Sequence, residues 1–323
     1  MYFEASELIL NSDGSIYHLH LLPNQIADLI ITVGDPDRVD RVSRHFDRID
    51  ERVSKREFVT HTGELGGQRI SVVSTGIGTD NIDIVLNELD ILAKIDLKNR
   101  TLLPPDRQRQ LSFIRLGTSG CLQSYLPLDS ILISAYAIGL DGLMPFYNIE
   151  LPKESSDLLD NLQAYLAAEG IKLPGSSYAA QADHSLVDLF SQPDNYLGIT
   201  LTAAGFYGPQ ARSLRLKSKL DEKTVNSLQH FLYKSALSKH IPPAEVQKNK
   251  PPNKVQLQIT NLEMETAGIY ALAHALGHKA VSISVLLANR ANNTFSEQPK
   301  KTVDHMIEWA LDRLTALPLR TNG

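Results

Sequence analysis

The sequence of 323 residues predicts an α/β protein, because short apolar, β-branched runs recur along the chain and helical patterns lie between and after them. Residues 29–33 (LIITV) read as a first buried strand, followed by Gly34-Asp35-Pro36-Asp37-Arg38 and a helical pattern through Val39 and Val42. Residues 70–74 (ISVVS) form a second strand that leads through glycines into a helix over 81–95, where Ile84, Val85, Glu88 and Leu89 share helical spacing. Strands at 113–116, 130–135, 199–203 and 281–287 and helices at 156–169, 265–276 and 302–317 continue the alternation; Gly277 stops the helix before it. Segments 98–110 and 240–254 carry Pro-Pro pairs among charges and read as surface excursions or mobile loops of one body. The expectation is therefore a single domain over 1–323.

Composition excludes several classes. With 19 Gly and 16 Pro and 42% hydrophobic residues, the chain is neither collagenous nor disordered. Lys and Arg number 32 against 37 acids, a net charge of −5 that offers no whole-protein field for nucleic acid or an anionic membrane. Any anion site must be local. The one cysteine, Cys121, can form neither an intramolecular disulfide nor a thiolate zinc cluster, and the histidines lack metal-ligand spacing, so no divalent metal is expected. His274, His278 and His240 read as surface residues. The longest apolar run, 280–288, is about half a membrane span, and the acidic N-terminus lacks a signal peptide's pattern. A cytoplasmic protein is expected.

Five constellations could carry chemistry. Gly34 permits close backbone approach and Arg38, one turn into the helix, can turn its fork to the strand end, a geometry that suits an oxyanion. Gly76-Ile77-Gly78 resembles part of a dinucleotide fingerprint, but Asn81 occupies the third glycine position, so a tight turn with close helix packing explains it equally. Arg115, in a run that otherwise reads as buried, asks for an anionic ligand or an internal acid; a Gly117-Thr118 turn after it would add amide and hydroxyl donors. Phe206, Gln210 and Arg212 offer a stacking face, an amide and a donor fork, suited to a planar amide heterocycle. Glu263 and Glu265, two apart at a helix start, do not share a helix face, so one of them is expected to enter a given pocket and accept from adjacent ribose hydroxyls. Favourable placement of acids in a first helical turn is the plainer explanation.

In order, GDPDR, SKREF, STGIG, IRLGTSG, FYGPQAR, LEMETA and ANR make the chain resemble the nucleoside phosphorylase family, in its uridine phosphorylase branch, from about Tyr17 to Leu317. Segments 97–110, 150–195 and 213–255 match poorly. The resemblance implies a three-layer α/β/α subunit with a mixed, partly barrel-like sheet. It also implies a homo-oligomer built from dimers, a hexamer, with active sites shared between neighbours. Carried onto this sequence, phosphate would meet Gly34, Arg38, Arg115 and Thr118, with Arg56 donated across the dimer interface. Ribose would meet Met264 and Glu265, with His18 reaching from the partner, and the base would meet Phe206, Gln210 and Arg212, supported through water by Arg290.

The implied reaction is phosphorolysis of a pyrimidine nucleoside, uridine plus inorganic phosphate giving uracil and ribose 1-phosphate, with no organic cofactor. In purine-acting relatives an Asp near the end of the late strand protonates the base; here that place reads Ala288-Asn289-Arg290, which favours uridine. Some relatives hold a monovalent cation at the dimer interface with Glu, Ile and Ser; the matching positions are Glu57, Ile77 and Asn81. The 240–254 segment and the loop after Arg290 are candidates for a lid. A purine nucleoside phosphorylase or a nucleosidase of the same fold, a non-catalytic nucleoside binder and a dinucleotide-dependent oxidoreductase are the rival readings.

Overall fold

The computed structural model describes residues 2–235 and 255–316. Strands β1 (Leu29–Val33), β4 (Gln68–Ser74) and β7 (Ser112–Cys121) lie parallel side by side, and β2 (Arg48–Lys55) and β3 (Phe58–Leu65) extend this arm as an antiparallel hairpin beside β4. On the other side of β7 the sheet curls into a closed ring. There β7 pairs with β13 (Lys279–Asn289), β13 with β8 (Ile131–Leu140), β8 with β10 (Tyr196–Ala203), β10 with β12 (Val255–Glu263), and β12 returns to β7. The β13–β8 and β12–β7 pairings are antiparallel and the other three parallel. The mixed, partly barrel-like sheet implied by the resemblance is thus present. Register shifts in β10 and β13 provide the local bends that closing a sheet requires.

Short strands decorate the ring: β9 (Tyr178–Gln181) beside β8, β11 (Leu232–Ser235) beside β12 and β14 (Thr294–Phe295) beside β13; β5 (Ile95–Asp96) and β6 (Thr101–Leu102) pair separately. Helices complete the layers. α2 (Thr79–Lys94) packs on α6 (Thr266–Ala275), which covers β8, β10 and β13, while α1 (Asp37–Ser43), α4 (His184–Phe190) and α7 (Pro299–Thr315) form a second contacting set. α3 (Lys153–Ala168) and α5 (Glu222–His230) close a satellite core in which Leu158, Leu162 and Leu228 pack with Ile199, Phe231 and Ile259. Among the described residues no helix is long and apolar enough to cross a membrane.

All the expected strands and helices form, most of them longer than expected. Val39 and Val42 of the GDPDR helix are fully buried, as their spacing implies. Several expectations need correction. β7 does not end at Leu116 in a Gly/Thr/Ser turn: Gly117 and Thr118 continue in the ladder opposite Ser284 and Val285, so no nest of free amides forms there. The 48–65 hairpin was not anticipated, because β2 is an edge strand whose charged side chains alternate with only half-buried ones. The 98–110 excursion lies at the surface as expected, with no residue buried, and meets the N-terminal segment, the Phe3 N–H donating to the Arg100 carbonyl at 2.9 Å and Tyr2 bridging Thr101. The 240–254 segment and His240 lie outside the described residues.

His274 is exposed, but His278 is not a surface residue; its side chain is fully buried. Its Nδ1 accepts from the Leu111 N–H at 3.1 Å and its Nε2 then donates to Asp90 at 3.0 Å, which fixes the tautomer and joins the start of β7 to α2. His278→Ala removes an acceptor from a buried amide and is expected to cost about 1–3 kcal/mol. Denaturant melts should report that loss with substrate affinity unchanged.

Candidate active site

A cavity of about 710 Å³ opens where strand ends from the arm and the ring converge. It forms because the C-terminal ends of β7 and β12 meet antiparallel, Leu262 opposite Gly120, and bring Arg115 within reach of the β12–α6 junction. Gly34, Arg38, Arg115, Thr118, Phe206, Gln210, Arg212, Met264 and Glu265 all line it, although they come from four segments that do not adjoin in sequence.

Arg115 is 7% exposed and its Nη2 lies 2.6 Å from Glu265 Oε2 and 3.0 Å from Glu263 Oε2. Nη1 faces the Ser282 and Ser284 hydroxyls at 3.4 and 3.3 Å. Burial opposes its charge, but the two carboxylates outweigh burial and raise its pKa. The guanidinium folds over Gly117, where a Cβ would stand 1.9 Å from Nη1. Glycine is required there by the arginine, not by its own backbone. Arg38 Nη1 donates to the Leu116 carbonyl at 3.1 Å, and its Nε is buried without a partner among the described residues. Burial, then repulsion from Arg115, lowers the Arg38 pKa to about 10, so both groups remain cationic at neutral pH.

The expectation that only one of the two glutamates enters the pocket is incorrect: both line it. Glu263 ends β12 and Glu265 caps α6, so they precede the helix and helical face geometry does not apply. Glu263 is held by the Thr202 hydroxyl at 2.7 Å and the Glu265 and Thr266 amides at 3.0 Å. Glu265 Oε1 accepts from the Gly78 N–H at 2.8 Å. Gly78 sits at φ 98° and ψ 161°, a conformation essentially confined to glycine, so the STGIG turn presents an amide to this carboxylate. Burial raises the Glu265 pKa, and Glu263 adds to the rise while Arg115 opposes it.

At the far end Gln210 is buried, and Arg212 Nη1 donates to Gln210 Oε1 and to the Phe206 carbonyl, both at 2.6 Å. The Arg212 guanidinium stacks 3.8 Å from the Phe206 ring centroid. Leu287, Ala288 and Phe295 complete this wall, and none of these described residues carries a carboxyl. Asn289 is buried and spends its amide on the Gln123 and Leu126 carbonyls. Arg290 does not line the cavity; it stands behind Gln210 and donates to that residue's carbonyl, bracing the loop instead of facing the space a base would fill.

His18, Arg56, Glu57 and Asn81 also lie outside the cavity lining. His18 is tied to Glu88 of α2, Nδ1 to Oε1 at 2.7 Å, and Arg56 is exposed at the turn of the β2–β3 hairpin. Glu57 and Asn81 flank Gly76, and Ile77, which touches the cavity, is 67% exposed. Among the described residues no group of three or more His, Cys, Asp or Glu could hold a metal ion. Sequence reasoning reads Gly78 as part of a tight turn without its amide contact to Glu265, and misses Thr202 and the Ser282–Ser284 pair. A signal for the serines existed: two hydroxyls at alternate positions of an apolar strand share one face.

The comparisons with known proteins agree with this geometry. The uridine phosphorylase of Thermococcus kodakarensis is 27% identical over 300 residues, covering 93% of this chain and 86% of that protein. A DeoD-type purine nucleoside phosphorylase of Oceanobacillus iheyensis is 23% identical over 92% of this chain and 98% of its own. The crystal structure of a Trypanosoma brucei nucleoside phosphorylase that shows uridine phosphorylase activity superposes with a TM-score of 0.78 at 26% identity, covering 96% of this chain and all of that one. The pattern of the phosphorylase superfamily matches residues 28–321, and with that span, this ring and these paired arginines the chain belongs to the phosphorylase superfamily.

Proposed function

We propose that this protein is a uridine phosphorylase, a pentosyltransferase that cleaves uridine with inorganic phosphate. The observation that carries the reading is that the buried Arg115 and the half-buried Arg38 line one cavity together with an amide, Gln210, and a donor fork, Arg212. Phosphate would sit by Gly34, Arg38, Arg115 and Thr118, and ribose between Met264 and Glu265. A phosphate oxygen attacks the anomeric carbon while the bond to N1 breaks, and the electron pair leaves on uracil as a delocalised anion. Gln210 and Arg212 donate to its carbonyls, and water later returns a proton. The sugar passes through an oxocarbenium-like state stabilised by the phosphate beneath it and by Glu265. Catalysis is thus positioning and electrostatic preorganisation.

A departing purine needs a proton on its imidazole nitrogen, and among the described residues no carboxyl accompanies Phe206, Gln210, Arg212, Leu287, Ala288 and Phe295, which favours a pyrimidine. Because the exposed Arg56 and the half-buried His18 do not line their own cavity, we further propose that they complete the site of a neighbouring copy in an assembly built from dimers, a hexamer by family resemblance.

Uridine incubated with the protein should release uracil only when phosphate is present; release that ignores phosphate would identify a nucleosidase. Arg115→Ala should lower the rate on the order of 10²- to 10³-fold and raise the KM for phosphate more than that for uridine. Gly117→Ala, by displacing the same guanidinium, should follow Arg115→Ala in phosphate KM. Mixing Arg56→Ala with Arg115→Ala subunits should restore part of the activity, since some sites would then draw intact groups from both chains; verified exchange without recovery would dismiss shared sites.

A further inference from the structure

The two groups that leave their own cavity are fastened to each other. Arg56 occupies the two-residue turn between β2 and β3 at φ 57°, a left-handed conformation costing a long side chain about 1–3 kcal/mol. The residue before it, Lys55, folds back onto the N-terminal arm. Its Nζ donates to the Tyr17 carbonyl at 2.6 Å and to Asn11 Oδ1 at 2.9 Å, and lies 5.0 Å from the Tyr17 ring centroid. The Tyr17 ring stands edge-on to His18 at 4.8 Å.

On its far side the arm is held by Glu88, which accepts from the backbone N–H groups of His18 and Leu19 and from His18 Nδ1. Nδ1 is thereby committed, while Nε2 has no hydrogen bond among the described residues and keeps its bonding capacity.

We propose that Lys55 is a positioning residue that locks the His18 arm to the Arg56 turn, so that one copy presents the nucleoside-directed and phosphate-directed groups to its neighbour as a single unit. The inference rests on the shared-site reading above and adds a mechanical coupling to it. An ammonium holding a carbonyl, an amide oxygen and a ring face at once fixes both position and rotation of the arm relative to the turn. Without it the arm keeps its Glu88 anchor and the turn keeps its ladder, but their separation is no longer set. Each donated group would then reach the neighbouring cavity with its own freedom, at an entropic cost to both substrates.

The test compares Lys55→Met, Lys55→Arg, His18→Ala and Arg56→Ala with the unaltered protein by steady-state kinetics and by hydrogen exchange of residues 11–19. His18→Ala is expected to raise the KM for uridine and Arg56→Ala that for phosphate, whereas Lys55→Met should raise both, each by about tenfold, the loss of a charge-assisted hydrogen bond. Lys55→Arg should recover most of both. With 5′-deoxyuridine, which lacks the hydroxyl assigned to His18, the nucleoside part of the Lys55→Met effect should vanish and the phosphate part remain. A purely structural lysine would lower the melting temperature without this paired pattern. Either KM staying at its original value in Lys55→Met overturns the proposal, and so does unchanged exchange over 11–19, which is readable even if the unaltered protein proves inactive on uridine. Inactivity of the unaltered protein refutes the proposed function, while loosened exchange would still support the lock. Should Lys55→Met fail to fold, Lys55→Gln, retaining one hydrogen bond, is expected to give an intermediate rise in both KM values, and no rise would overturn the lock.

Discussion

A guanidinium inside a sheet is tolerated only if opposite charge and hydrogen-bond acceptors meet it there, and the ring end of this fold is arranged around that requirement at Arg115. Two carboxylates supply the charge, and each is held by its own donors: Glu263 by Thr202 and the first amides of α6, Glu265 by the Gly78 amide. Those donors come from β10, from the β12–α6 junction and from the turn after β4. One buried ion cluster therefore fixes how the arm of the sheet meets the ring, and Gly117 leaves the room in which the fork turns.

The cluster is not neutral in its effects on the neighbouring cation. Arg38 has its carbonyl contact to Leu116, yet it is pushed down in pKa by burial and by Arg115, a cation of the same sign facing the same space. Arg115 is answered by two carboxylates, whereas Arg38 keeps a buried Nε that lacks a partner among the described residues, so of the two guanidiniums Arg38 has the hydrogen-bonding capacity left over. At the opposite end the arrangement differs. Arg212 is stacked on Phe206 and bonded to Gln210, and Arg290 braces the Gln210 carbonyl, so a neutral planar ligand would meet donors already oriented.

The arm of the sheet has a different part. Its edge strand β2 alternates exposed, mostly charged residues with half-buried ones while β3 packs Phe58 into the core, and the turn between them holds Arg56 in an unfavourable backbone conformation. The N-terminal arm lies against the same turn and is anchored to α2 at Glu88. Residues far apart in sequence thus occupy one edge.

The sequence by itself determined the alternation of strand and helix, the burial of Val39 and Val42 behind GDPDR, and the conflict posed by an arginine in an apolar run, because periodicity and desolvation act over a few residues and are visible locally. Family motifs also singled out many of the residues that line the cavity, together with His18, Arg56, Glu57, Asn81 and Arg290, which do not. Only the tertiary structure decided what answers Arg115: the resolution is two glutamates about 150 positions away, brought in by the antiparallel meeting of β7 and β12. The same holds for His278, buried because a distant Asp90 and the Leu111 amide satisfy it, and for β7, which runs on through Gly117 because β13 pairs with it there. Local sequence reports that a polar group or a glycine needs an explanation; which partner provides it is set by strand register and ring closure, and these are properties of the whole chain.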